Sequence, residues 1–173
     1  AGDIGMDVNA SIYDMQADEG LVRRLEAVRK AVSAAIGFIT GPDADERLRI
    51  STNPLIFAVA PAVDYQATNR IGIEASDYHL FSRSLARFEF SKAYPGSGAA
   101  GTAVAAGIPG TLVHQAVGDL GQSGGPYDLR VGHPGGVLEV AAEVHAGEEG
   151  IMVRKALIGR TARLLMDGTT YIR

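Results

Sequence analysis

The chain has no cysteine among its 173 residues. Disulfides, thiolate metal sites and a cysteine nucleophile within this chain are therefore excluded. Positive charge is sparse: 16 Lys and Arg stand against 20 Asp and Glu, for a formal net charge of -4. The basic residues are scattered singly, so the electrostatic footprint of a nucleic-acid binder is missing and nucleic acid is not expected as a partner. Apolar stretches are short and interrupted, well below the roughly 20 residues of a membrane-spanning helix, so no membrane partner is expected. The four histidines (His79, His114, His133, His145) are isolated and show no ligand spacing, so no metal is expected. The chain opens Ala1-Gly2-Asp3 with neither an initiator Met nor a signal-like apolar segment. From this we expect a segment upstream that has been removed or was never included, and a cytoplasmic location.

The remaining composition is that of a folded domain. At 18.1 kDa, with 46% hydrophobic and 21% charged residues, residues 1–173 suit a single domain with its own core. The clearest element is an amphipathic helix over 18–38. Leu21, Leu25, Val28, Val32 and Ile36 recur at steps of three and four as one apolar stripe. Asp18 and Glu19 stand where carboxylates favour the helix dipole, and Gly37 lies near the end. Arg23, Arg24, Arg29 and Lys30 are expected on the solvated face. Strands are predicted over 55–60, 70–74, 78–82, 128–132, 137–145, 151–158 and 169–172, with a loop at 121–126 and a hairpin turn at 147–150. No internal repeat or low-complexity tract is present. Strands around one or two helices make an α+β domain, without the strand–helix alternation of a doubly wound sheet.

Gly96, Gly98 and Gly101 spell G-x-G-x-x-G, the dinucleotide-binding fingerprint. That motif needs an apolar strand before it, a helix after it and an acidic residue about twenty positions on. The preceding stretch, Phe90-Ser91-Lys92-Ala93-Tyr94-Pro95, is polar and ends in proline. The helix is stopped by Pro109, and Asp119 falls in a turn. A Walker A reading fails because Thr102 follows Gly101 where lysine is required. What survives is a helix start at Ser97 and Gly98, with Ser97 as its cap, whose free N–H groups suit a carboxylate or phosphate. The other reading is that 99–106 is a buried helix, small because strands wrap closely around it. A second glycine-rich turn, Arg130 to Gly136, is either an anion-binding nest or a hairpin that needs its glycines. His133 within it is suited to donate to a carboxylate or to shuttle a proton near neutral pH.

The segments "SRSLARFEFSKAYPGSGAAGTAVAAGIPGTLV", "RVGHPGGVLEVAAEV" and "GRTARLLMDGTTYI" resemble the second half of the 2-methylaconitate isomerase and 4-oxalomesaconate tautomerase family. "AGDIGMD", "LVRRLEAVRKAVSAAIGF" and "PLIFAVAPAVDY" fit the same half in the same order. The resemblance implies a diaminopimelate epimerase-like fold, in which each of two domains curves a sheet or barrel around a central helix. It implies a cofactor-independent isomerase that shifts a C=C bond, or isomerises cis to trans, in a small unsaturated di- or tricarboxylic acid. The substrate-binding residues implied are Ser97, Gly98, Arg87, Lys92, Arg130, His133, Gly135 and Gly136, with His133 also an acid–base candidate. The principal acid–base pair, a lysine and a cysteine, belongs to the first domain of that family, which these 173 residues do not include. Pro95 stands where epimerase relatives carry a cysteine, and Ser91-Lys92 where isomerases usually read His-Lys. The chain is thus expected to be inactive without a complementary N-terminal domain or chain. Its origin as a proteolysed fragment, a truncated form or half of a split enzyme stays open, as does a non-catalytic or homo-oligomeric remnant.

Overall fold

The structure, a computed structural model, describes residues 1–118, 120, 125–147, 150–159, 166–169 and 171. Six strands form one curled half-barrel sheet, in the order β1 (Ile56–Pro61), β4 (Leu80–Ala86), β6 (Pro126–His133), β7 (Gly136–Gly147) and β8 (Gly150–Ile158), with β5 (Glu89–Phe90) paired to β4. The β4–β6 pairing is parallel, and the other ladders of this sheet are antiparallel. A separate two-stranded hairpin joins β2 (Tyr65–Gln66) and β3 (Gly72–Ile73).

Alternation along the strands builds two cores. On one face, Val59, Leu80, Leu129, Val131, Val140, Ala142 and Val144 close over α4 (Gly96–Ala106). That helix presents Ala99, Ala103 and Ala106, all fully buried, and its small side chains let the sheet come close. At Gly107, which ends it, a Cβ would lie 2.6 Å from the Tyr127 hydroxyl and 2.8 Å from Val144 Cβ, so only glycine fits. α5 (Leu112–Val117) follows. On the opposite face, Ala58, Phe81, Leu85 and Phe90 pack against α1 (Ile12–Ala17) and α2 (Glu19–Ala35) through Ile12, Met15, Leu21 and Leu25. Burying each of these large side chains is worth about 1.5–3 kcal/mol.

The amphipathic helix is present and its Asp18 is the cap, accepting a hydrogen bond from Leu21 N at 2.9 Å. Its faces differ from expectation. Val28, Val32 and Ile36 are exposed, whereas Glu26, Arg29 and Ser33 are buried. Arg23, Arg24 and Lys30 do face water, but Arg29 is 0% exposed. The reason is local satisfaction of its guanidinium. Nη1 donates to Glu26 Oε2 at 2.7 Å, Nε to Pro54 O at 2.8 Å, and Nη2 to Leu48 O and Ser51 O. These carbonyls belong to the end of α3 (Ala44–Ile50) and the segment after it, which cover the polar side of α2. Counting apolar residues cannot reveal a buried charge that is fully partnered. The expected hairpin at 147–150 is supported by the pairing of Gly147 with Gly150, while 148–149 lie outside the described residues. Positions 121–124 of the expected loop, and 170 and 172 of the last expected strand, also lie outside them. Thr169 and Tyr171 are not in a strand.

Candidate functional site

The start of α4 leaves backbone donors free. Its cap is Pro95, in extended conformation, whose carbonyl accepts the first helical bond from Ala99 N at 2.8 Å. Ser97 was expected to cap; instead it lies within the first turn, and no side chain caps this helix. Because proline carries no side-chain acceptor, the N–H groups of Gly96, Ser97 and Gly98 have no partner among the described residues. Eleven aligned peptides stand behind them, so the terminus favours negative charge. Gly98 is required by a packing contact as well: a Cβ there would meet Phe57 Cζ at 2.1 Å.

Three hydroxyls and a histidine gather beside this terminus. The Tyr94 hydroxyl sits 3.0 Å from Ser82 Oγ and 2.9 Å from Thr102 Oγ1, and burial raises its pKa. The Tyr94 ring lies 5.8 Å from the His133 ring and 5.4 Å from that of Phe57. His133 Nδ1 accepts from Gly135 N at 3.2 Å. That bond assigns the proton of the neutral ring to Nε2. Burial first, and the Arg83 charge second, lower the His133 pKa, which keeps the ring neutral at pH 7. The turn carrying it is a tight hairpin: His133 pairs with Gly136, whose φ of 131° suits glycine. Gly135 comes close to this segment, since a Cβ there would sit 3.0 Å from His133 Cε1 and 3.6 Å from Lys92 O.

The expected substrate-binding residues therefore divide. Ser97, Gly98, His133, Gly135 and Gly136 cluster around the α4 terminus and the β6–β7 turn. Lys92 joins that neighbourhood through its backbone, while its ammonium lies 5.4 Å from the Tyr13 ring centroid. Arg87 sits at the exposed tip of the β4–β5 hairpin, with φ of 52°, and among the described residues no hydrogen bond or ion pair ties its side chain to α4. Arg130 is separated from His133 by strand alternation. It lies on the other face of β6, where it lines a cavity of about 340 Å³ with His79, Asp128 and Glu139. Sequence reading missed Ser82, Tyr94 and Thr102, and also the buried Arg83. A signal existed in Ser82-Arg83-Ser84, three polar residues inside a strand that is buried along its whole length. Among the described residues, no group of three or more His, Asp or Glu could hold a metal, and no helix is long and apolar enough to cross a membrane.

The same fold is found in a solved structure described as methylitaconate-delta-isomerase. The match has a TM-score of 0.78 and 31% identity, over 97% of this chain and 42% of that one. The PrpF protein family matches residues 1–173, and the chain belongs to that family. It is 32% identical over 168 residues to the 2-methyl-aconitate isomerase of Shewanella oneidensis, covering 97% of this chain and 41% of the relative. It is 33% identical over 176 residues to the 3-methylitaconate isomerase of Eubacterium barkeri, covering 99% and 43%. The chain thus spans about two-fifths of the length of these relatives. Its relatives are isomerases of small unsaturated acids.

Proposed function

We propose that the chain is the carboxy-terminal wall of a two-walled cleft in a cofactor-independent isomerase of an unsaturated di- or tricarboxylic acid. The observation that carries this reading is the uncapped start of α4, beside a neutral His133, in a member of this family. Moving a C=C bond in such an acid removes an allylic proton, passes the electron pair through the conjugated system onto a carboxylate, and returns a proton at the far carbon. The intermediate is an enolate-like anion. The N–H groups of Gly96, Ser97 and Gly98 would bind the carboxylate on which that charge develops. His133 Nε2–H would donate to a second oxygen, orienting the acid. The base that takes the allylic proton belongs, in this reading, to the complementary portion. No redox change is involved, so the reaction needs no electron carrier. A cytoplasmic location belongs to the same reading.

An apolar surface supports the need for a complement. Val28, Val32, Ile36 and Phe38 are exposed together toward the end of α2. Beside them a groove of about 630 Å³ is lined by Val28, Ile56, Phe57, Val59 and Leu112. Contiguous apolar surface of this kind marks association. The test is co-expression with the amino-terminal portion of a PrpF family member, followed by NMR of 2-methylaconitate. The pair should move the double bond, and the chain alone should not. Turnover by the isolated chain, or a stable pair without turnover, would overturn the reading. A chain that pairs only with itself would favour the alternative, a carboxylate-binding or dimerising remnant.

A further inference from the structure

Among the described residues two arginines are buried, and they are satisfied very differently. Arg29 is 0% exposed and spends all three nitrogens on acceptors, one of them the Glu26 carboxylate. Arg83 is 3% exposed and faces no carboxylate within ion-pair distance among the described residues. Among the described residues only its Nη1 is bonded, to the Ser82 and Gly132 carbonyl oxygens at 2.9 and 3.2 Å. Nε is buried without a partner, and no acceptor meets Nη2 among the described residues. The guanidinium lies 3.8 Å from the Phe81 ring centroid and 4.8 Å from that of Tyr65. These rings offset part of the desolvation cost but supply no negative charge. A buried, unpaired cation is destabilising unless an anion completes it.

Space for that anion adjoins it. Arg83 lines a cavity of about 380 Å³ together with Tyr65, Thr68, Arg70, Ser11 and Pro134. Its charged groups are Arg83, Arg70 and Asp14, a net positive set. The walls are tied together. The Tyr65 hydroxyl lies 2.9 Å from His133 O and 2.6 Å from Gly136 O, and Thr68 N donates to Pro134 O at 2.7 Å. Ala10, Ile12 and Ala67 give the cavity apolar wall as well, which suits a carboxylate on a carbon skeleton better than inorganic phosphate. Phe81 and Arg83 project from the face of β4 opposite to Ser82, which meets Tyr94 beside α4. The cavity contains none of the residues at the α4 terminus.

We propose that this cavity is a second carboxylate-binding site, separate from the α4 terminus, in which a small organic acid pairs with Arg83 and is assisted by Arg70. The proposal does not depend on the isomerase reading, because its test requires binding and no turnover. Thermal unfolding of the 173-residue chain is followed in chloride buffer with tricarballylate, a saturated tricarboxylate, from 0 to 20 mM. Wild type should gain several degrees. Arg83→Met, which keeps the bulk and removes the charge, should unfold in plain buffer no earlier than wild type and should lose most of the gain. Arg70→Gln, an exposed change that keeps the fold, should weaken the apparent affinity by about three- to tenfold. Three results would overturn the proposal: a wild type indifferent to tricarballylate, an Arg83→Met chain that unfolds early or fails to fold while Arg70→Gln responds as wild type does, or an equal gain from inorganic phosphate.

Discussion

Replacing Gly132 by alanine tests how the sheet, the β6–β7 turn and the buried arginine are locked together. A Cβ at this position would stand 2.5 Å from Tyr78 Cε2 and 2.8 Å from both Cδ2 and Cζ. Ordinary carbon contacts are about 3.5–4.0 Å, so the ring must retreat by roughly 1 Å. It has little freedom to do so. Its hydroxyl accepts from Val63 N at 2.9 Å and donates back to Val63 O, and the Tyr65 ring packs edge-on against it. Overpacking of this kind costs about 1–3 kcal/mol. Loss of the two hydroxyl bonds adds about 1 kcal/mol each if the ring swings away. We therefore expect Gly132→Ala to lose about 1–5 kcal/mol, the upper part if the ring swings away, a fall in Tm of roughly 2–20 °C. Urea denaturation of wild type, Gly132→Ala, Tyr78→Leu and the double variant gives the coupling directly. The double variant should cost less than the sum of the singles, by about 1 kcal/mol or more. A Gly132→Ala loss below about 0.5 kcal/mol, or strict additivity, would mean that Tyr78 is not held against Gly132.

Glu26→Ala leaves Arg29 buried without its carboxylate and strips the acceptor from Phe88 N, so it should cost about 3–5 kcal/mol in urea melts. Tyr94→Phe leaves the fully buried Ser82 hydroxyl without its Tyr94 partner and should cost about 1–3 kcal/mol by the same assay. His133 has a folded pKa below its unfolded value of about 6.5, so the unfolded chain takes the proton first as pH falls. Stability is then full above pH 6.5 and declines below it until the folded ring protonates, and His133→Gln should flatten part of that decline. His79, lowered by burial and by Arg130, keeps the remainder. Val32→Glu, on the exposed side of α2, should reduce self-association in sedimentation experiments without lowering Tm by more than a degree or two.

Much of the fold was legible because its signals are periodic. The long helix begins at its Asp18 cap, and β1, β6, β7 and β8 appear within a residue or two of the apolar runs that announce them. Most short elements were not legible. The 6-residue α1 and α5 and the 7-residue α3 carry too few turns to establish a period, and the 2-residue β2 and β5 exist only through their partners, whereas β3 falls inside the strand expected over 70–74. At the candidate site, glycines and His133 stood out by residue type. Tyr94 and Ser82 did not, because their meeting depends on a tertiary fold that brings residues 12 apart into contact. Arg29 and Arg83 mark the sharper limit. Arg83 sits in the polar run Ser82-Arg83-Ser84 and Arg29 among the charges of a helix face, but three-dimensional accounting of acceptors is what separates the satisfied charge from the unsatisfied one.

If the start of α4 holds a carboxylate of the substrate, amide ¹H–¹⁵N spectra of the chain titrated with trans-aconitate will reveal it. The Gly96, Ser97 and Gly98 amides should shift downfield together, with a saturable profile, and the His133 ring should follow. Spectra in which these amides stay fixed while the chain remains folded and the acid reaches tens of millimolar would contradict carboxylate binding at this helix start.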